Sequence, residues 1–475
     1  MPPPDGCSIN SATSDEINCL FLCVGSVPPR CCSARFNLAF LMFLGFTVVY
    51  GLRVNLSVAM VAMVNSTDPD PALNRSVIHA CPLISPYRSF FFCDYPWDSK
   101  TQGWLLGAFF FGYLCTQIPG GYLAGHYGGK IFLGLGVLGT AVLTLLTPLA
   151  AQWGSYWLFG LRALEGFGEG VTYPAMMALW ARWAPPLERS RLMTMSGSGG
   201  SFGAFVALPL TGFICQMLGW PAVFYLCGER GKHSETDTTC PRLSSHGWTV
   251  PLLHMALSVP LWAIIITQMC SNWAFYTLLT SLPTYMDVIL HFDLQSNGFL
   301  SSLPYLGGWM MSTLSGVAAD ALIERRALSV TTVRKLFTLA GLLLPSAFLV
   351  AVIYAGCNHI LTVTFLTLSS TTGGFSAAGV FINQIDIAPR YAGFLLGITN
   401  TFGTIPGVVA PIVTGYFTED HTLAGWAKVF WVAAGINASG AAIFTLFGSA
   451  KLQSWALTEE ERAEAERKRS RSISH

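Results

Sequence analysis

Long apolar runs, separated by short polar loops, follow one another along most of the chain. A helix needs about 20 apolar residues to cross the hydrocarbon core of a bilayer, and by that measure the pattern predicts two groups of spans. The first group lies near residues 37–63, 101–124, 130–151, 155–181 and 191–217. The second group lies near residues 259–285, 297–320, 333–355, 360–384, 391–417 and 427–448. The chain is therefore predicted to be an all-α polytopic membrane protein.

Composition agrees with this prediction. Of the 475 residues, 52% are hydrophobic and 11% are charged, whereas a soluble domain has about 25% charged residues. The formal net charge of +1 gives no indication of a nucleic-acid partner. Membrane lipid is the expected surrounding, and no obligate protein partner is indicated.

Most of the 13 cysteines stand singly in apolar spans, as small core residues do. Cys81 and Cys93 share one polar loop, and their spacing alone does not decide whether they form a disulfide. Cys31 and Cys32 precede the first span, where palmitoylation and an inert thiol are equally compatible with the sequence.

Lys and Arg are concentrated in alternate loops, which the positive-inside rule places in the cytosol. The loop of residues 64–100 is the exception, because its glycosylation sequons at Asn65 and Asn74 place it on the lumenal side. A third sequon, at Asn55, lies inside the first span and should be inaccessible. The tails, residues 1–36 and 449–475, are then both cytoplasmic.

The orientation of the loops conflicts with an odd number of spans, because a further crossing is needed before residue 259. The segment available for it is "AVFYLCG", followed at once by the polar run "ERGKHSETDTTCPRLSSHG", which cannot cross hydrocarbon as a lipid-exposed helix. The sixth span is therefore predicted to be truncated or absent. The expected organisation is a first helical bundle at 37–228, a polar linker at 229–258 and a six-helix bundle at 259–448.

The end of the second span is repeated at the end of the second span of the later group. The two segments read "GGYLAGHYGGK" and "SGVAADALIERR", and each combines a small residue with basic residues at a predicted cytoplasmic hairpin. Gly121, Lys130, Gly316 and Asp320 are the candidate gating residues of this repeat. Two related six-span halves are the layout of the major facilitator superfamily, in which substrates bind near the midplane between the halves.

Three ionisable residues interrupt the fourth apolar run, in "LRALEGFGEGVTYPA". On one helix, Arg162, Glu165, Glu169 and Tyr173 share a face, and Arg53 is a further cation within the first span. Each charge at the bilayer centre costs about 2.5–3.5 kcal/mol on insertion scales, so these groups need partners or a water-filled cavity.

Two interpretations fit these charges. In the first, they form a buried network that locks helices together, with Gly166 and Gly170 allowing close packing. Alternatively, the arginines hold an anionic substrate while a glutamate binds and releases a proton, because arginine matches a carboxylate bidentately. We expect Arg53 and Arg162 to bind substrate and Glu165 and Glu169 to couple protons.

Neutral polar residues inside the spans are weaker candidates. Tyr113, Asn272 and Tyr276 are expected to contribute to substrate binding, with Asn400 also a candidate, although such residues commonly join helices by hydrogen bonds. Neither a catalytic cluster nor metal-ligand spacing is present in the sequence, so we expect no enzyme activity, no metal and no cofactor.

Several long motifs resemble the anion–cation symporter family of the major facilitators. They include "TQIPGGY", "RALEGFGEGVTYPAM", "WAPPLERSR", "FYTLLTSLPTYM", "NGFLSSLPYLG" and "GITNTFGTIPG". The resemblance runs from about residue 31 to residue 457. It implies proton-coupled symport of small organic anions, sialic acid and related acidic sugars above all, with the roles given above for the charged residues.

The resemblance also implies a location and leaves two alternatives. The expected location is the lysosomal membrane, with synaptic or secretory vesicles and the plasma membrane as further sites. One alternative is vesicular transport of glutamate or aspartate, although the vesicular glutamate transporters carry His and Arg where Leu106 and Ser271 stand here. The other alternative is a non-transporting isoform that lacks the sixth span.

Overall fold

The protein is described by a computed structural model that covers residues 34–64, 95–183, 192, 195–232 and 252–457. The first half contains eight helices within this part of the chain: α1 Ala34–Met63, α2 Ser99–Tyr127, α3 Gly129–Leu145, α4 Thr147–Trp153, α5 Ser155–Glu169, α6 Thr172–Trp183, α7 Gly199–Leu218 and α8 Trp220–Lys232. The remaining helices are α9 Leu252–Ala256, α10 Val259–Val288, α11 Leu294–Glu324, α12 Val330–Ala355, α13 His359–Gly373, α14 Val380–Ile387, α15 Ala392–Phe417 and α16 Leu423–Phe447.

The helices follow the predicted spans and form two bundles. Six helical segments of the described chain are long and apolar enough to cross a bilayer on their own. Three predicted spans are broken rather than continuous. The third bends by 48° between α3 and α4, the fourth breaks between α5 and α6, and the ninth, at 360–384, contains the 3-10 turn Gly374–Ala377 between α13 and α14.

The sixth span is described only in part. Helix α8 has 13 described residues, which give a length of about 20 Å, and the residues that follow, 233–251, lie outside the described part of the chain. It packs against α1, α3 and α7, and Gly228 allows close contact because a Cβ there would lie 2.6 Å from the side chain of Leu145. A sixth crossing therefore begins in its expected place, and its predicted truncation stays a prediction.

The two bundles are in close contact at the predicted lumenal end, where α2 meets α15 and α7 meets α11. Glycines make these contacts possible. A Cβ at Gly212 would lie 2.7 Å from the carbonyl oxygen of Leu294, and one at Gly107 would lie 3.0 Å from that of Val408. Since backbones approach this closely only where side chains are small, the predicted lumenal end is closed in this conformation.

An ion pair lies across the same closure. Lys100 Nζ on α2 donates to Glu419 Oε1 after α15 at 2.7 Å. Both side chains are substantially exposed, and water therefore screens their attraction. Nearby, burial lowers the pKa of His421, so its imidazole stays neutral to a lower pH than that of an exposed histidine.

We expect Glu419→Gln to have little effect on transport. An exposed pair of this kind contributes little to the closed conformation, so initial rates of substrate uptake should change by less than about twofold. Uptake measured at low and high ionic strength tests the expectation. A large loss of uptake in Glu419→Gln would show that the pair, rather than the glycine contacts, holds the closure.

Several predictions concern residues outside the described part of the chain. They include both glycosylation sequons, at Asn65 and Asn74, and the loop cysteines Cys81 and Cys93. Asn55 is described and is fully buried, in agreement with its predicted inaccessibility. The predicted linker at 229–258 begins within α8 and contains α9, but most of it lies outside the described residues.

Candidate functional site: a buried charge cluster beside a central cavity

Helices α2 and α5 approach closely enough to bring their polar side chains together. A Cβ at Gly112 would overlap the carbonyl oxygen of Ala163, and a Cβ at Gly166 would overlap that of Phe109. A Cβ at Gly170 would lie 2.6 Å from a carbonyl oxygen of α2. The prediction that glycines of this segment allow tight helix packing is confirmed.

Arg53 on α1 forms an ion pair with Glu169 at the end of α5. The Arg53 Nε atom donates to Glu169 Oε1 at 2.9 Å, and Nη2 donates to the same oxygen. Arg53 is 5% exposed and Glu169 is fully buried. The guanidinium also lies over three aromatic rings, at 4.5–4.9 Å from the centroids of Tyr50, Phe109 and Tyr113. These contacts compensate the loss of water around the cation.

A second ion pair lies behind the first. Arg162 Nη1 donates to Glu165 Oε2 at 2.5 Å, and Arg162 Nη2 donates to the backbone oxygen of Arg53 at 3.0 Å. The other carboxylate oxygen of Glu165 accepts a hydrogen bond from Thr147 at 3.2 Å. Arg162 therefore holds the backbone of α1 at the residue that carries the first cation.

The two pairs form one electrically balanced cluster of two cations and two anions. Charges buried together in this way are tolerable only when each has a partner. Two atoms of the cluster, Arg162 Nε and Glu169 Oε2, are buried and have no hydrogen-bond partner among the described residues, and Glu169 Oε2 is the one oxygen of the two. It is the oxygen of the cluster at which a proton can be added without first breaking a hydrogen bond.

A cavity of about 480 Å³ lies between the two bundles, within the usual range for small-molecule sites. Its lining includes α1, α2, α6 and α7 on one side and α10 to α16 on the other. Gly197 and Leu396 lie at its predicted cytoplasmic side. Arg53 is the single charged side chain among the described residues that line it. The cavity therefore offers an anion one permanent positive charge.

Four of the five predicted substrate-binding residues line this cavity: Arg53, Tyr113, Asn272 and Tyr276. Arg162 does not, because it lies behind Arg53 and is 2% exposed. Glu165 and Glu169 are likewise outside the lining. In this conformation Arg162 contacts Arg53 rather than the cavity, and direct binding of a substrate by Arg162 stays a prediction.

Tyr173 was expected on the same helix face as the three charged residues, and it lies beyond the break between α5 and α6. Its hydroxyl is 3.5 Å from that of Tyr50, and both rings line the cavity. The break therefore turns the tyrosine toward the cavity while the glutamates remain behind Arg53.

Sequence reasoning missed several polar residues of the cavity wall. They are Gln117, Gln268, Tyr305, Trp309 and Asn437. An amide standing alone in an apolar span, as Gln268 does in "PLWAIIITQMC", is the same signal that selected Asn272. Applied to every span, that criterion would have found the three amides.

The candidate gating residues remain predictions. A Cβ at Gly121 would lie 3.5 Å from Pro174, whereas nothing lies within 4 Å of a Cβ at Gly316. Lys130 and Asp320 are exposed. The described part of the second half contains another ion pair nearby, in which Arg334 Nε donates to Asp386 at 2.7 Å and Nη1 donates to the oxygen of Ala378 at 2.9 Å.

Paired bundles around a central cavity define a transporter of the Major Facilitator Superfamily, and residues 38–228 match that superfamily. Solved structures agree. A bacterial homologue of the human lysosomal transporter Spinster superposes with a TM-score of 0.66 at 14% identity, covering 89% of this chain and 97% of that chain. The D-xylose–proton symporter gives 0.65 at 14% identity, covering 89% and 100%. At this identity the likeness shows the fold alone.

Proteins with higher sequence identity show which family of the superfamily the chain belongs to. Human sialin is 50% identical over 457 residues, which cover 91% of this chain and 92% of sialin. Sheep sialin is 49% identical with the same coverage. A human protein named as a probable small intestine urate exporter is 36% identical, covering 90% of this chain and 92% of that protein. The chain belongs to the sialin family of anion transporters; it is a multi-pass membrane protein and a transporter rather than an enzyme.

Proposed function

We propose that this protein is a proton-coupled symporter of sialic acid and related acidic sugars. The observation that carries the proposal is the Arg53–Glu169 pair at the wall of the cavity, which joins an anion-binding group directly to a titratable one. The 50% sequence identity to human sialin, whose name refers to sialic acid, supports this choice of substrate. The proposed location is the lysosomal membrane, with other vesicles and the plasma membrane as further sites.

Substrate and Glu169 compete for the same guanidinium. A carboxylate that enters the cavity can pair with Arg53, whose Nε and Nη2 now donate to Glu169 Oε1. As the substrate draws Arg53 away, the glutamate loses its cation and binds a proton more readily. Glu169 Oε2, which has no partner among the described residues, is the expected acceptor.

Charge balance favours one proton for each monoanion. The cluster of Arg53, Arg162, Glu165 and Glu169 is neutral when all four groups are ionised. A bound carboxylate makes it negative by one charge, and a proton on Glu169 restores neutrality. Because an uncompensated charge inside the membrane is costly, the state that carries both anion and proton is favoured over the state that carries either alone.

Replacing Glu169 by glutamine tests the coupling. Glu169→Gln keeps the size of the side chain and removes the titratable group, so we expect uptake of labelled N-acetylneuraminate to lose its acceleration by an imposed proton gradient. Uptake is measured in cells with the protein verified at the plasma membrane. Glu419→Gln, an exposed glutamate changed in the same way, serves as the matched control.

One result would contradict the coupling proposal, and one control is needed to interpret a loss of uptake. Full proton-driven uptake by Glu169→Gln would exclude Glu169 as the coupling residue. Exchange of substrate across proteoliposomes without a gradient distinguishes loss of coupling from loss of binding, because a protein that has lost only its coupling still exchanges.

The short apolar run of the sixth span favours a second candidate, an isoform that does not transport. Polar residues follow Gly228 at once in the sequence, whereas a span needs about 20 apolar residues to cross the bilayer. No uptake of sialic acid or glutamate by wild-type protein at the plasma membrane would support this candidate over the symporter. Transport restored by inserting about eight apolar residues after Gly228 would identify the short apolar run as the cause.

A further inference from the structure

The cavity wall contributed by the second half contains several polar side chains and no charged one among the described residues. Four cavity-lining side chains are at least nine-tenths buried and each has a polar atom without a hydrogen-bond partner in this part of the chain. These atoms are Gln117 Nε2, Gln268 Oε1, Tyr305 OH and Asn437 Oδ1. Three of the four belong to the second half, opposite Arg53.

Such atoms are costly unless something in the cavity pairs with them. A buried amide or hydroxyl without a hydrogen bond loses its interaction with water and gains nothing in return. Neighbouring polar groups are already used: Asn400 Nδ2 donates to Gln117 Oε1 at 2.8 Å, and Asn272 Nδ2 donates to the oxygen of Gly403 at 2.8 Å. These bonds fix the wall and leave the unpartnered atoms available to a ligand.

The set contains both donors and acceptors. Gln117 Nε2 donates, Gln268 Oε1 and Asn437 Oδ1 accept, and the Tyr305 hydroxyl does either. Trp309, whose Nε1 is also buried without a partner, adds a donor. Hydroxyl groups, which both donate and accept, and secondary amides suit such a surface. A carboxylate or ammonium group does not, because the wall offers it no opposite charge.

We propose that Gln268, Tyr305 and Asn437, with Gln117 from the first half, form a neutral subsite for the hydroxyl- and amide-bearing body of a monoanionic substrate. The inference rests on the proposed function only in that Arg53 takes the anionic group. The subsite selects polyhydroxylated monoanions over acidic amino acids, because a second carboxylate of glutamate or aspartate would lie in this wall without a cation.

A ring-matched pair of ligands tests the subsite by binding alone. Glucuronate carries a carboxylate on a hydroxylated six-membered ring, whereas cyclohexanecarboxylate has the same acid group without hydroxyls. Ligand-induced increases in the Tm of the purified full-length protein give the dissociation constants. We expect wild-type protein to bind glucuronate and N-acetylneuraminate at least about tenfold more tightly than cyclohexanecarboxylate or glutamate.

Three variants remove one polar group each: Gln268→Met, Asn437→Leu and Tyr305→Phe. Each should weaken binding of glucuronate and N-acetylneuraminate by about three- to tenfold, the usual effect of one lost hydrogen bond. Binding of cyclohexanecarboxylate should be unchanged or tighter. Tyr285→Phe is the matched control, because the Tyr285 hydroxyl is equally buried but lies outside the cavity lining.

The outcomes separate this inference from the symporter proposal. If wild-type protein binds cyclohexanecarboxylate or glutamate as tightly as glucuronate, or if the variants weaken all ligands equally, the subsite is wrong. If glucuronate binds selectively and the variants abolish that selectivity, the subsite is supported even where no proton-driven uptake is seen. The Tm without ligand identifies any variant that fails to fold, and Tyr305→Phe, which removes a single oxygen, keeps the test decisive.

Discussion

Arg53→Lys should reduce substrate uptake by about a hundredfold or more. The guanidinium donates through two nitrogens to Glu169 and lies over three aromatic rings. A lysine ammonium keeps the charge but cannot reproduce the planar fork or the stacking. It also leaves Glu169 incompletely paired in a buried position, which costs several kcal/mol when one member of a buried pair is lost.

Initial rates of uptake at the plasma membrane, corrected for surface expression, test this expectation. Arg325→Lys is the matched control, because Arg325 is exposed at the end of α11 and should tolerate the change. Retention of more than a tenth of wild-type uptake by Arg53→Lys would show that charge alone is sufficient at this position.

Gly166→Val should prevent formation of the native first bundle. A Cβ at Gly166 would overlap the carbonyl oxygen of Phe109, and backbone cannot move aside as a flexible side chain can. Overpacking of well-packed interiors costs about 1–3 kcal/mol, and more where backbone must shift. Separation of α2 from α5 would also disturb the aromatic rings that contact the Arg53 guanidinium, because two of the three belong to α2.

Surface expression and the Tm of the purified protein measure this effect. Gly160→Val lies on the same helix, and nothing lies within 4 Å of a Cβ at that position, so it should fold normally. Equal expression and equal Tm for the two variants would show that α2 and α5 do not pack as described.

Much of this architecture is readable from the sequence, because apolar runs of membrane length report helices directly. The same is true of Arg162, Glu165 and Glu169, since charges in a bilayer have few uses. The ion-pair partners of these residues cannot be predicted from the sequence. Helical spacing puts Arg162 and Glu169 on one face, but the pairing of Glu169 with Arg53 depends on how α1 crosses α5.

The break after Glu169 is another feature that periodicity could not supply. If residues 155–181 formed one continuous helix, Tyr173 and the two glutamates would lie on the same face. The structure has two helices there, α5 and α6, and the side chains of the two helices point in different directions. Gln268 and Asn437 show a different limit. An isolated amide in a span marks a polar contact, but only the packing of the two halves decides whether the contact is a neighbouring helix or a cavity.

All four charges of the cluster belong to one half, and this has a consequence for the membrane potential. Moving one elementary charge across 100 mV is worth about 2.3 kcal/mol. When the two halves move relative to each other, the two cations and two anions of the cluster move together. With substrate bound, the cluster also carries one substrate anion and one proton. The complete cycle then moves no net charge, so the proposed symport runs on the pH difference and generates no current.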